Sequence, residues 1–138
     1  MLHIDKMSTQ PVYEQLIEGI ERNILLGIYP AGSALPSLRE LSATLGINPN
    51  TIQKSYAELT RRGVISPAPG SGCYVSPDAA ARIREASSRK LEAICDLAAE
   101  MKLAGVPEAD LVAVIRRVYH GDSAHTHEVN FNESKGGD

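Results

Sequence analysis

Apolar residues recur at helical spacing in five separate stretches of this chain. In the first, Val12, Leu16, Ile20 and Ile24 repeat every four residues, and Tyr13, Ile17 and Leu25 widen the stripe. The pattern predicts a buried amphipathic helix from about Pro11 to Leu26, ended at Gly27. Ahead of it, Met1–Gln10 reads as a short polar lead that packs loosely. After it, Ile28–Ala34 carries Tyr29-Pro30 and Gly32, the composition of a turn.

The next two stretches are short and adjacent. Ser37 and Glu40 have capping-box spacing, so a helix should start there, with Leu38, Leu41 and Leu45 lining one face. Gly46 stands where a left-handed closing residue belongs. Asn48 followed by Pro49 pairs a preferred N-cap with a preferred first helical residue. On the helix that begins there, Ile52, Tyr56 and Leu59 face inward, leaving Asn50, Lys54, Ala57 and Arg61 outward. Amide, small and cationic side chains on one face suit a helix in the major groove of DNA: amides bridge adenine edges and Lys neutralises phosphate. A solvated helix face has the same spacing. Val64–Val75 then reads as a hairpin whose turn holds Pro69, Gly70, Ser71 and Gly72. Helix, turn, helix and hairpin in that order make a winged helix.

Beyond Ser76-Pro77-Asp78, Ile83, Leu91, Ile94, Leu97, Ala98 and Met101 share one side of a helix expected to reach about Ala104. Gly105 and Pro107 break it, and Leu111, Val112, Ile115 and Val118 mark another from Glu108 to Tyr119. Two such helices cannot bury their apolar faces alone, and the simplest partner is the same pair from a second copy. The alternative is that they fold back on their own winged helix. The predicted fold class is mainly α with a small β-wing. It comprises a winged helix-turn-helix domain at 1–76, a two-helix dimerisation domain at 77–120 with Ile83, Leu91, Ile94, Leu97, Ala98, Met101, Leu111, Ile115 and Val118 at the interface, and a flexible acidic tail at 121–138.

Composition narrows the function. With 43% hydrophobic and 22% charged residues the chain is of ordinary globular type, and its net charge of −3 argues against a general polyanion binder. Residues 1–76 and 77–120 are each balanced, so the whole net charge lies in the tail. A specific DNA reader needs only a few cations on one surface, here Arg39, Lys54, Arg61 and Arg62. Cys73 and Cys95 have no nearby partner and read as reduced, half-buried residues of a cytosolic protein. No apolar run approaches the roughly 18 residues that cross a bilayer. Glu14, Glu18 and Glu21 could do acid/base work only beside a nucleophile or pocket, and none accompanies them. His120, His125 and His127 are spaced closely enough to suggest zinc or nickel, but histidines in such a tail are more often inert. No enzyme activity, cofactor or metal is expected.

Pro11-Val12-Tyr13, Gln15, Gly27, Leu35-Pro36-Ser37, Arg39, Leu41, Asn48-Pro49-Asn50-Thr51, Tyr56, Leu59, Gly63 and the Gly70/Gly72 hairpin together resemble the DNA-binding domain of GntR-family bacterial transcription regulators. The short remainder resembles the YtrA-like subfamily. The resemblance implies that the stretch before Leu35 adds a strand to the wing sheet. It implies DNA contacts from Ser37, Arg39, Asn48, Asn50, Thr51, Gln53 and Lys54, to which Arg61 and the wing residues Gly70, Ser71 and Gly72 are added here. It further implies a homodimeric repressor of its own operon, often one with ABC-transporter genes, on a palindromic operator. Any small-molecule effector would act at the helix and wing junction or the dimer interface. The competing reading is a winged-helix module that docks a protein instead of bases.

Overall fold

The computed structural model describes residues 2–121, which form six helices and one hairpin. They divide into two compact units, split between Ser88 and Arg89.

The first unit holds α1 (Val12–Leu25), α2 (Leu38–Leu45), α3 (Pro49–Arg61), β1 (Ile65–Ala68), β2 (Gly72–Val75) and α4 (Ala79–Ser88). Each boundary has a local cause. Ser37 Oγ accepts from the Glu40 N–H at 3.0 Å and starts α2. Gly46 closes that helix at φ 66°, a left-handed conformation that costs a side-chain-bearing residue about 1–2 kcal/mol. Asn48 Oδ1 then accepts from the Asn50 N–H at 2.8 Å, and Pro49 occupies the first helical position of α3.

One core joins these elements. Leu16 and Ile20 of α1, Ile52 and Leu59 of α3, and Val64, Ile65 and Val75 around the hairpin are all within 2% of complete burial. Each such aliphatic side chain contributes about 1.5–3 kcal/mol relative to exposure. Ser55, equally buried, donates to the Tyr13 carbonyl at 2.9 Å, so α3 is pinned to the start of α1 through a satisfied polar group. Tyr56 OH donates to the Pro36 carbonyl at 2.6 Å and fixes α3 against the entry to α2. The hairpin pairs Ile65 with Val75 and Ala68 with Gly72, antiparallel. Ala34 bridges to Tyr74, and Leu35 N–H donates to the Cys73 carbonyl at 2.9 Å, so the stretch before Leu35 meets β2 through an isolated bridge, where the resemblance implied a full strand.

Three further expectations change. Met1–Gln10 is not a loose lead over its described part: Leu2 is buried and Ile4 packs against the core. The first unit also runs to Ser88 instead of ending at 76, because α4 packs on α1 and buries Ala79 and Ile83 there. Ile83, at 4% exposure, is thus a core residue of the winged-helix unit and not part of a dimer surface. The single helix expected from Asp78 to Ala104 is accordingly two. Ser87 and Ser88 are weak helix formers, and Ser88 Oγ donates back to the Glu85 carbonyl at 2.7 Å, which favours a break there.

The second unit comprises α5 (Leu91–Leu103) and α6 (Glu108–Tyr119), joined by the turn through Gly105 and Pro107. This is the expected two-helix arrangement. No residue of either helix is buried within the chain, and Cys95 on α5, expected to be half-buried, is exposed. The acidic tail beyond Gly121, with His125 and His127, lies outside the described residues.

Candidate nucleic-acid interface

The inner stripe of α3 is consumed by the core, and what remains faces solvent. Asn50, Gln53, Lys54, Ala57 and Arg61 are all exposed, with Thr51 half-buried at the edge. Beside this face lies a groove of about 630 Å³ between the start of α2, α3 and the wing. Ser37 stands on its α2 wall, Gln53 and Ala57 on its α3 wall, and Gly72 on its β2 wall. Tyr56, Thr60, Pro67 and Cys73 also line it. Burial pushes the Cys73 thiol up from its ordinary value, so it stays protonated at neutral pH.

The cations differ in how firmly each is held. Arg39, exposed in the first turn of α2, has no ion-pair partner among the described residues. Lys54 reaches over the edge of α3 and sets its Nζ 3.8 Å from the centroid of the Tyr13 ring. A cation–π contact at an exposed site is worth about 0.5–1 kcal/mol, enough to bias the lysine without locking it. Arg61 is clamped: Nη2 and Nε donate to the two carboxylate oxygens of Glu58 at 2.6 and 2.8 Å. Arg62 donates to the same carboxylate at 2.8 Å and bridges to Glu21 at 3.3 Å. Hydrogen bonds from Arg61, then from Arg62, hold the Glu58 carboxyl at about 2, well below the usual carboxylate range.

Of the residues read from the sequence, Asn50, Gln53 and Lys54 therefore share one open face with Arg61. Ser37 and Asn48 are exposed, but their side-chain oxygens are engaged as caps. Gly70 and Ser71 lie exposed at the wing tip, and Gly70 at φ 75° makes the turn. Tyr13 and Glu58 gain roles beyond those read from the sequence. Tyr13 meets Lys54 across two helices, a contact with no local signature. Glu58 has one, since it precedes Arg61 and Arg62 by three and four residues.

A second apolar surface sits on the other unit. Ile94, Leu97, Ala98, Met101, Leu111 and Ile115, with Val114, line one groove of about 310 Å³. Leu91 and Val118 are 62% and 46% exposed.

The family profile "Bacterial regulatory proteins, gntR family" matches residues 12–75, from the start of α1 to the end of β2. A GntR family transcriptional regulator from Listeria monocytogenes superposes with a TM-score of 0.66 at 31% identity, covering 83% of this chain and 98% of its own. The chain belongs to the GntR family. It is also similar to YtrA from Sulfolobus acidocaldarius, a GntR-family transcription factor, with TM-score 0.54 and 29% identity over 67% of this chain and 97% of that one. Among curated relatives, the HTH-type transcriptional repressor YtrA of Bacillus subtilis is 44% identical over 79 residues, which is 57% of this chain. That match spans 61% of the repressor's length. Among the described residues, no helix is long and apolar enough to cross a membrane.

Proposed function

We propose that the chain is a cytoplasmic, homodimeric transcription regulator of the YtrA-like type that represses its own operon by occupying a two-fold symmetric operator. The observation that carries the reading is the exposed face of α3, where Asn50, Gln53, Lys54 and Ala57 are open to solvent and Gln53 and Ala57 line the groove between α2 and the wing. In this reading Asn50 and Gln53 present amides to base edges and Ala57 permits close approach. Lys54 and Arg39 neutralise phosphates, and the backbone at Gly70, Ser71 and Gly72 approaches the neighbouring strand. Arg61 serves as a phosphate contact at the far end of α3, oriented by Glu58. Ser37, Asn48 and Thr51 shape the entry to the reading helix and add local contacts.

Dimerisation would come from α5 and α6. Their exposed Leu91, Ile94, Leu97 and Ile115 form an apolar surface that one chain leaves uncovered, and a second copy offers the same surface. Pairing there would place two reading helices about one helical turn, roughly 34 Å, apart on DNA. Repression of an operon containing ABC-transporter genes is part of the same proposal. The 44% identity to a protein named as a repressor supports repression, while the choice of target rests on the family resemblance alone.

Fluorescence anisotropy with the duplex upstream of the chain's own gene tests the reading. At physiological salt the expected affinity is at least about a thousandfold above that for scrambled DNA. Equal affinity for both, together with capture of a protein partner that depends on Lys54 and Arg61, would identify a protein-docking module instead.

A further inference from the structure

The turn that leads into α3 is held by a residue some forty positions away. Residues 2–10 form a strap whose first part is anchored in the core. Leu2 is 9% exposed, and its Cδ2 lies 3.0 Å from where a Cβ on Gly19 would stand. Asp5 is gripped by Gln15: the Asp5 N–H donates to Gln15 Oε1 at 2.8 Å, and Gln15 Nε2 donates to the Asp5 carbonyl at 2.9 Å. The same Nε2 donates to the Gln10 carbonyl at 2.9 Å and secures the other end. Between these clips the chain turns tightly, with Met7 N–H bonded to Asp5 Oδ1 at 2.9 Å and Ser8 N–H to the Asp5 carbonyl at 3.2 Å. Lys6 projects from that turn. Its Nζ donates to the Gly46 carbonyl at 3.0 Å, two residues before the Asn48 cap of α3.

That bond occupies one of three ammonium donors and neutralises no charge. The residue is exposed, so two donors and the full positive charge face solvent at the helix-turn-helix turn. We infer that Lys6 is a DNA-phosphate contact, a cation placed by the N-terminal strap against the backbone that flanks the bases read by α3. The inference rests on the DNA reading proposed above and adds a residue outside the family segment 12–75. When the start of a recognition helix points at base edges, the turn before it meets the sugar-phosphate backbone. A surface lysine ordinarily loses much side-chain freedom on ordering. Here the strap and the Gly46 carbonyl have restricted it beforehand, so less is lost when a phosphate arrives.

The test compares the full chain with Lys6→Gln and Lys6→Arg variants on operator and scrambled duplexes across a salt series, with a thermal melt of each. A phosphate contact predicts that Lys6→Gln lowers the slope of log affinity against log salt by about 0.9 for each chain bound. Both duplexes should weaken by the same factor, because a phosphate carries no sequence information. Lys6→Arg should keep the wild-type slope. An unchanged slope in Lys6→Gln overturns the inference, whether the melt shifts, leaving Lys6 as a cap for Gly46 alone, or stays put. If wild type prefers neither duplex, the reading of α3 fails, while the slope on scrambled DNA still decides the role of Lys6.

Discussion

A single phenol ties α3 to the entry of α2, which makes Tyr56→Phe a sharp test of that contact. Tyr56 is 5% exposed, and its hydroxyl donates to the Pro36 carbonyl at 2.6 Å. The variant keeps the ring and its apolar contacts but leaves a half-buried carbonyl without its donor. That should cost about 1–2 kcal/mol, against about 3–5 kcal/mol for removing the whole ring with Tyr56→Ala. For a unit of this size it lowers the melting temperature by about 4–15 °C. A second signature lies in the alkaline range. Burial raises the Tyr56 phenol above its ordinary value of 10.0, so the folded state keeps a proton that the unfolded state releases. Its contribution is complete below about pH 10 and is lost as pH rises further, at up to about 1.4 kcal/mol per pH unit. Urea unfolding of wild type and Tyr56→Phe at pH 7 and in steps above pH 10 reads both. The gap between them should be largest at pH 7 and close as wild type loses stability. A variant as stable as wild type at pH 7, or a gap that stays constant through the alkaline range, would refute the role given to this hydroxyl.

Other consequences follow from the same geometry. Gly46→Ala should cost about 1–2 kcal/mol in urea unfolding through backbone strain alone, because an added Cβ would stand at an ordinary 3.5 Å from Lys6 Nζ; no cost would mean that the turn is not held left-handed. The Glu58 clamp on Arg61 and Arg62 should persist above about pH 4.5 and fail as pH falls through about 2. The melting difference between wild type and Glu58→Gln should therefore shrink over that window, and a pH-independent difference would contradict the assignment. Ile94→Asp, which places a charge on the apolar surface of α5, should turn the proposed dimer into a monomer in light scattering, and a variant that stays dimeric would remove α5 from the interface.

The helix-turn-helix was legible because each of its boundaries is written locally. Ser37 caps, Gly46 closes, Asn48 and Pro49 restart, and the inward stripe of Ile52, Tyr56 and Leu59 is a strict helical repeat. The exposed face of α3 followed directly, since it is what that repeat leaves over. The boundary of the first unit was harder to read. Ile83 lies on the same apolar stripe as Leu91 and Ile94, and periodicity cannot say that Ile83 packs in the winged-helix core while the other two stay exposed. The weak helix formers at Ser87 and Ser88 were the only local hint. The strap was missed for a different reason. Leu2 and Ile4 alternate with polar residues, which is the pattern of an extended segment laid on a core, but three residues are too short a run to distinguish it from a tail. The Lys54–Tyr13 and Lys6–Gly46 contacts join residues about forty positions apart and have no sequence signature at all.

Hydroxyl-radical footprinting on the upstream duplex, with wild type and an Asn50→Ala/Gln53→Ala variant, tests the central claim most directly. The account predicts two protected half-sites related by two-fold symmetry, with centres about one helical turn apart, and loss of that pattern in the variant at concentrations where non-specific binding remains. Uniform protection that does not depend on Asn50 and Gln53, or an unprotected duplex at saturating protein, would contradict it.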